Sequence, residues 1–127
     1  MEYHSTLDNL EVYKIAVSIS DIAWKVYNQL PKTHRFHIGD QLLRCSDSIG
    51  ANIAEGNGRF HFKDKLNFIF NSRGSLIEGY HWISLLKKRK LIDHKTHDEY
   101  IALLNEENKK INGYINYLKK KYDITYK

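Results

Sequence analysis

The sequence predicts an all-α protein, an antiparallel up-and-down four-helix bundle, on three observations. The chain of 127 residues contains one proline and seven glycines, so it holds few of the residues that make turns. Its apolar residues recur at steps of three and four over long stretches, which is the spacing of one helix face. The segments between these stretches are short, and short connections make neighbouring helices run in opposite directions. We expect one domain, with an ordered core over about residues 10–121.

The first predicted helix is ended by a proline and the second by glycines. The apolar spacing runs from Leu10 to Leu30, and Pro31 ends the helix because proline cannot donate the next backbone hydrogen bond. A loop is predicted through about Phe36. The second helix should end at Gly56-Asn57-Gly58, since these residue types tolerate the left-handed conformation of a helix end.

The second predicted helix carries an apolar stripe beside a stripe of small residues. The small stripe predicts that another helix approaches closely, within the bundle or across a subunit boundary, because short interaxial distances need small side chains. A glycine in mid-helix costs about 1 kcal/mol relative to alanine, and a close contact at Gly50 would offset that cost. The apolar stripe consists of Ile38, Leu42, Cys45, Ile49, Asn52 or Ile53, and Gly56, and the small stripe consists of Asp47, Gly50, Ala51, Ala54 and Gly58.

Two longer helices complete the predicted bundle. The third runs from about Lys63 to Lys88, and the fourth runs from about Thr96, which fits a capping box with Glu99, to Lys121. The residues expected to point inward are Leu66, Ile69, Arg73, Leu76, Ile77, Tyr80, Ile83 and Leu86 in the third helix, and Tyr100, Leu104, Ile111, Tyr114, Ile115 and Leu118 in the fourth.

Positive charge is concentrated in the second half of the chain. The net charge is +5, but residues 1–58 carry 5 basic and 7 acidic side chains, whereas residues 59–127 carry 15 and 8. Such residues can contact phosphates, but they also fit a solvated helix surface or complement the carbonyls of a helix C-terminus, so these interpretations stay open. The candidate nucleic-acid contacts are Arg59, Lys63 and Lys65 at the turn after the second helix, and Lys87, Lys88, Arg89 and Lys90 at the end of the third.

Four polar residues are expected near the seam between the second and third helices: Asn52, Glu55, Arg73 and Glu78. Buried charges need partners, so we expect a closed structural network of arginine–carboxylate and amide hydrogen bonds that fixes helix register. A ligand or nucleic-acid site is the alternative.

No pattern in the sequence indicates catalysis, a metal or a cofactor. Cys45, Ser46 and Ser48 lie within a predicted helix, and no motif sets a histidine and its carboxylate partner beside them. A metal site would need a third and fourth ligand beside either histidine pair. These pairs, each spaced by one helical turn, are His34/His37 and His94/His97.

The compartment is expected to be the cytoplasm. The single Cys45 cannot form an intrachain disulfide, and the N-terminal residues lack the basic-then-apolar pattern of a signal peptide. No apolar run approaches the ~20 residues that a membrane-spanning helix needs, so no membrane partner is expected.

Several short motifs occur together over about Leu10–Leu118. They are Leu30-Pro31, Gln41-Leu42-Leu43-Arg44, Ser48-Ile49, Asn52-Ile53-Ala54-Glu55-Gly56 with Gly58-Arg59, and Arg73-Gly74-Ser75-Leu76 with Glu78. As a set they resemble the four-helix bundle family of the 23S rRNA-intervening sequence proteins. The chain differs from the family pattern at Gly50, where many relatives have proline, and at Cys45 and Asp47, where small apolar residues are usual.

The resemblance implies a homopentamer without established catalytic activity. Some members are encoded within ribosomal RNA genes. A related branch, the accessory variability proteins of diversity-generating retroelements, forms basic pentamers that engage nucleic acid and a reverse transcriptase. The implied partners are therefore further copies of the chain, RNA or DNA, and a reverse transcriptase if the chain is of the retroelement branch. Five copies would carry about +25, which favours binding to phosphates. The alternative is a protein-binding scaffold that takes no nucleic acid.

Overall fold

The computed structural model describes residues 7–123, and that part of the chain forms four long helices without a strand. They are α1 (Glu11–Gln29), α2 (Asp40–Asn57), α3 (Phe62–Lys88) and α4 (His94–Asp123). The predicted all-α four-helix bundle is confirmed. None of the described helices is both long and apolar enough to cross a lipid bilayer.

Each helix packs against the next along the chain, and α4 closes the ring against α1. The contacts between α3 and α4 show that they are antiparallel. Arg73 of α3 donates a hydrogen bond from Nη1 to Asn112 Oδ1 at 2.9 Å, whereas six residues later a Cβ on Gly79 would lie 2.9 Å from Tyr100 Oη. Position numbers rise along one helix as they fall along the other, as short connections require.

All four helices contribute apolar side chains to one core. The buried stripe of α3 includes Ser72 and Gly79, so the predicted inward residue Ile77 falls on the outer side and is 55% exposed. Arg73, also predicted inward, is half-buried. The fully enclosed large side chains are Ile19, Ile38, Leu42, Ile49, Ile53, Ile69, Leu76, Ile83, Leu86, Tyr100, Leu104 and Ile111.

The non-helical part of the connection between α1 and α2 is much shorter than the predicted loop through Phe36. Leu30-Pro31 is extended, with ψ angles of 146° and 148°, and the chain then re-enters a helical turn at Lys32–His34. A π-helical turn over Arg35–Gly39 leads directly into α2. Proline ends one helix here, but its φ of −57° also suits the start of the next, which the prediction overlooked.

Arg35 stabilises this break. It donates from Nε to Leu30 O at 2.9 Å and from Nη2 to Asn28 O at 2.7 Å. The arginine thus binds carbonyl groups at the C-terminus of α1, which have no partner within the helix.

Helix α4 has a different N-cap residue from the one predicted. The N–H of Thr96 donates to Asp93 Oδ1 at 2.7 Å, which makes Asp93 the capping residue and starts α4 at His94. The predicted capping box of Thr96 with Glu99 is therefore wrong. The hydrogen bonds from Thr96 hold the pKa of Asp93 below its usual value.

Candidate nucleic-acid interface

The turn after α2 is built by close packing. The predicted end is confirmed, because α2 stops at Asn57, but Gly58 is right-handed, with a φ of −81°, and the predicted left-handed end is wrong. Gly56 is buried where α2 meets α3. A Cβ there would lie 3.1 Å from Phe68 Cβ and 3.2 Å from Lys65 O, so glycine is what allows the two helices to approach.

Lys65 links this turn to α3. Its Nζ donates to Asn57 O at 3.2 Å and to Gly56 O at 3.5 Å, and so binds carbonyls at the end of α2. Burial lowers the pKa of Lys65, and the nearby charge of Lys121 lowers it further. A lysine predicted only as a phosphate contact therefore also holds the turn, next to a second cation from α4.

The C-terminal part of α4 brings Lys119, Lys120 and Lys121 to the same end of the bundle. Lys121 Nζ lies 5.4 Å from the ring centroid of Tyr122 and 5.8 Å from that of Tyr117. We call residues 59–65 together with 117–122 the basic–aromatic end. The sequence interpretation did not assign these lysines to a site, because only the antiparallel pairing of α3 with α4 places them beside the turn.

Aromatic rings hold the basic–aromatic end together. Phe62 stacks on Tyr122 with centroids 5.0 Å apart and an interplanar angle of 29°, which joins the start of α3 to the end of α4. Arg59 lies over the ring of Phe68 at 4.8 Å. In residues 7–123, five of the six cation–aromatic contacts lie between Arg59 and Arg73 or on the facing part of α4. Phe60, in the turn, is 89% exposed.

The second predicted cluster, Lys87–Lys90, lies at the opposite end of the bundle. The 27 residues of α3 separate it from Lys63 by about 40 Å at 1.5 Å per residue. Lys90 adopts a left-handed φ of 59°, and its N–H donates to Lys87 O at 2.9 Å to end the helix. Asp98 lies near this cluster, and the pKa of its carboxyl is lowered by the hydrogen bond to His97 and then by the charge of Lys87. The seven predicted basic residues thus form two separate clusters.

The predicted polar network does not form. Glu55 is exposed and pairs with Arg59 at 3.3 Å, one helical turn away, rather than with Arg73. The remaining three residues each bond to a different partner. Asn52 Nδ2 donates to Ser48 O at 2.8 Å, Arg73 Nη1 donates to Asn112 Oδ1, and Glu78 Oε2 accepts from Trp82 Nε1 at 3.0 Å. Asn52, Glu55 and Glu78 bond along their own helices, and Arg73 bonds across to α4 rather than to α2.

A different polar pair crosses the core. Ser46 Oγ lies 2.6 Å from both Leu42 O and Tyr100 Oη, all buried. Because the single hydroxyl proton of Ser46 is donated to the carbonyl, Tyr100 donates to Ser46. This bond ties α2 to α4 and was not predicted.

Glu107 was also missed. It is fully buried on α4, and both carboxylate oxygens lack a hydrogen-bond partner among the described residues. Burial, with a smaller contribution from Glu106, raises the pKa of Glu107 to about 8. The signal was present in the sequence, since Glu107 lies three residues after Leu104 and four before Ile111 on the inward stripe.

The small stripe of α2 is partly buried in the bundle and partly exposed at its surface. Gly50 is buried against α1, where its Cβ would lie 3.4 Å from Ala16 Cβ, so the predicted close contact within the bundle is present. Ala51 is exposed and Ala54 half-buried. They form part of a shallow depression of about 250 Å³ that is lined by Tyr13, Val17, Ser20, Asp47, Gly50, Ala51 and Ala54.

The groups weighed for catalysis are poorly placed for it. Cys45 is buried and donates from Sγ to Leu42 O at 3.3 Å. Burial, and then the charge of Glu78, raise the pKa of the Cys45 thiol to about 12, which disfavours the nucleophilic thiolate. Within the described residues, no three histidine, cysteine, aspartate or glutamate side chains come together as metal ligands.

Comparison with known proteins assigns the fold to a family. The family model of the 23S rRNA-intervening sequence protein matches residues 8–113. The chain belongs to this family. The match includes Arg59, Lys63 and Lys65 but ends before Lys119, so this member of the 23S rRNA-intervening sequence protein family carries part of its basic–aromatic end outside the matched region. No curated protein matches the chain.

A solved structure has the same fold as this 23S rRNA-intervening sequence family member. It is a crystal structure of a protein of unknown function from the S23 ribosomal protein family of Bacteroides thetaiotaomicron. The TM-score is 0.78 at 24% sequence identity, and the alignment covers 83% of this chain and 95% of that chain. At this identity, the likeness supports the fold alone.

Proposed function

We propose that this chain is a non-catalytic, cytoplasmic, homo-oligomeric protein that binds nucleic acid through the basic–aromatic end. The observation that carries the proposal is the convergence of two basic segments that lie far apart in the sequence. The turn supplies Arg59, Lys63 and Lys65, and α4 supplies Lys119–Lys121. Cations gathered on one surface neutralise phosphates and release counterions, which supports binding with little dependence on nucleotide sequence.

Two carboxylates lie close in sequence to the turn cations, Asp64 between Lys63 and Lys65, and Glu55 four residues before Arg59. Glu55 pairs with Arg59 at 3.3 Å, but both side chains are about half exposed, so a phosphate can displace such a pair at little cost. Lys119, Lys120 and Lys121 are exposed, and the described contacts of Lys119 and Lys121 are to aromatic rings. These contacts leave the positive charge available to a phosphate.

Assembly into a homo-oligomer, a pentamer by the family resemblance, would multiply the interface. Each copy adds a net charge of +5, and many weak phosphate contacts on one particle raise the overall affinity. A reverse transcriptase is a further partner if the gene lies in a retroelement, and a neighbouring reverse-transcriptase gene would support that branch.

The proposal is tested by fluorescence anisotropy with labelled RNA and DNA oligonucleotides over a range of salt concentrations. Replacing Lys119, Lys120 and Lys121 together by glutamine should weaken binding. It should also reduce the slope of log affinity against log salt by roughly two to three, since each phosphate contact contributes about 0.7–0.9.

The matched control replaces Lys87, Lys88 and Lys90 by glutamine, which removes the same charge from the opposite end. We expect it to keep the affinity and slope of the wild type. Equal weakening by both triple variants would contradict the assigned location. Absence of binding by the wild type at low ionic strength would overturn nucleic-acid binding itself.

A protein-binding scaffold is the second candidate, and one observation favours it. The depression between α1 and α2 is lined by Val17, which is 41% exposed, and Trp24, which is 56% exposed, lies one helical turn beyond the lining residue Ser20. Apolar surface of this kind is typical of protein contacts. A chain that forms oligomers but binds no RNA or DNA would favour this function.

A further inference from the structure

The turn between α2 and α3 exposes a phenylalanine where an ordinary surface turn would be polar. Phe60 is 89% exposed, and its ring meets that of His61 edge-on at 5.3 Å. The preceding residue, Arg59, is held over the ring of Phe68 at 4.8 Å. An open aromatic ring therefore directly follows a positioned cation in the sequence, and this cation also pairs with Glu55.

A second open ring lies on the α4 side of the same end. Tyr117 is 55% exposed, and it stacks on Tyr114 with centroids 6.3 Å apart and planes 14° from parallel. Lys121 Nζ lies 5.8 Å from the Tyr117 centroid. Because packing already holds this ring, a flat ligand could stack on it with little loss of conformational freedom.

These features fit unpaired nucleotides better than a duplex. An unpaired nucleotide presents a flat base and a phosphate, so one aromatic ring beside one cation can bind both parts. In a duplex the base faces are stacked on each other, and only the phosphates and groove edges are accessible. Exposed aromatic rings could reach the base faces of a duplex only by wedging between stacked base pairs, which costs a few kcal/mol of unstacking per step.

The opposite end provides an internal comparison. Lys87–Lys90 form a cluster of four cations, and none of them makes one of the cation–aromatic contacts found in residues 7–123. The contact at this end is made by Arg35, which lies 6.0 Å from the Tyr27 centroid and is already bonded to Leu30 O and Asn28 O. Phe36 is 76% exposed in the turn before α2 and provides a matched exposed ring away from the basic–aromatic end.

We propose that the basic–aromatic end binds single-stranded nucleic acid, with Phe60 and Tyr117 stacking on unpaired bases while Arg59, Lys63 and Lys119–Lys121 contact the phosphates. This inference rests on the proposed function and adds the form of nucleic acid that is bound. It assigns the bases to the rings and the backbone to the cations.

The experiment compares a 20-nucleotide single strand with a duplex of the same sequence and length, at one salt concentration and then across salt. Wild-type protein should bind the single strand more tightly. Phe60→Ala should weaken single-strand binding by roughly tenfold, within the range of one lost stacking contact, and leave the duplex affinity and the salt slope unchanged. Phe60→Trp should retain single-strand binding, and Phe36→Ala should behave as the wild type.

The outcomes separate this inference from the proposed function. Equal affinity for both forms, with Phe60→Ala harmless, would overturn the single-strand assignment and leave nucleic-acid binding standing. A loss of affinity in Phe36→Ala equal to that in Phe60→Ala would overturn the assigned location of stacking. No binding of either form would overturn the proposed function.

Discussion

Glu107 is the residue whose surroundings depart furthest from ordinary chemistry. An ionised carboxylate without a hydrogen-bond partner is strongly disfavoured in an apolar interior, so the buried group holds its proton. Its pKa rises to about 8 in the folded chain, chiefly because of burial, whereas in the unfolded chain it should titrate near its ordinary value of 4.5. Folding therefore takes up a proton between these values.

The stability of the fold should fall as the pH rises from about 4.5 to about 8. The folded state binds more protons than the unfolded state over this range, and the cost reaches at most about 1.4 kcal/mol per pH unit. Urea denaturation of wild type and Glu107→Gln at pH 5, 6.5 and 8 measures it. The glutamine variant should remove most of the fall, whereas Glu106→Gln, at an exposed neighbour, should retain it. A wild type equally stable at pH 5 and pH 8 would contradict this account.

The residue-scale features were only partly predictable from the sequence. The inward position of Glu107 follows from its spacing, but the sequence analysis did not predict that a glutamate on that stripe would be buried. The contacts of Arg73 depend on which side chain faces it across α4, and Asn112 lies 39 positions away along the chain. Spacing within one helix gives the direction of a side chain but not its partner, so the expected network was wrong.

At the scale of the elements, apolar periodicity located the helices well. α1 and α3 begin and end within one residue of their predicted limits, because long amphipathic repeats and Pro31 mark them clearly. The connections were less predictable. Pro31 was predicted only to end α1. Asp93 was not predicted to cap α4, because capping depends on a local hydrogen bond that several nearby polar residues could supply.

A substitution at Gly56 tests the close packing of α2 against α3. Gly56→Ala should destabilise the bundle by about 1–3 kcal/mol, because the added Cβ would lie 3.2 Å from the backbone oxygen of Lys65, which has little room to move. Gly74→Ala is the control. Gly74 is exposed in α3 with no neighbour within 4 Å of an added Cβ, so that alanine should stabilise the helix by about 1 kcal/mol. Chemical denaturation measures both, and stabilisation by both would show that Gly56 is not a packing requirement.

The whole molecule has two different surfaces. The basic–aromatic end combines cations with aromatic rings. The side formed by α1 and α2 presents a shallow apolar depression, in which Ala51 is exposed. The sequence indicated the excess of positive charge in the second half, but only the fold shows which cations lie together.

Ala51→Leu tests whether the depression between α1 and α2 is a subunit boundary. Ala51 is exposed in the single chain, so a leucine there should leave helicity and monomer packing unchanged. At a closely packed boundary the larger side chain would disrupt association, and sedimentation would show a smaller particle with an unchanged circular dichroism spectrum. Lys14→Leu, on an exposed part of α1, controls for added apolar surface. An unchanged mass for Ala51→Leu would place the boundary elsewhere.

The proposed binding of nucleic acid at the basic–aromatic end can be mapped by crosslinking. Ultraviolet crosslinking of the wild-type protein to a uridine-rich single-stranded RNA, followed by mass spectrometry of the crosslinked peptides, tests it most directly. We expect crosslinks at Phe60 and Tyr117, within residues 59–65 and 117–122, at low salt. These crosslinks should be lost as salt screens the phosphate contacts. Crosslinks confined to residues 87–97, at the opposite end of the bundle, would contradict it.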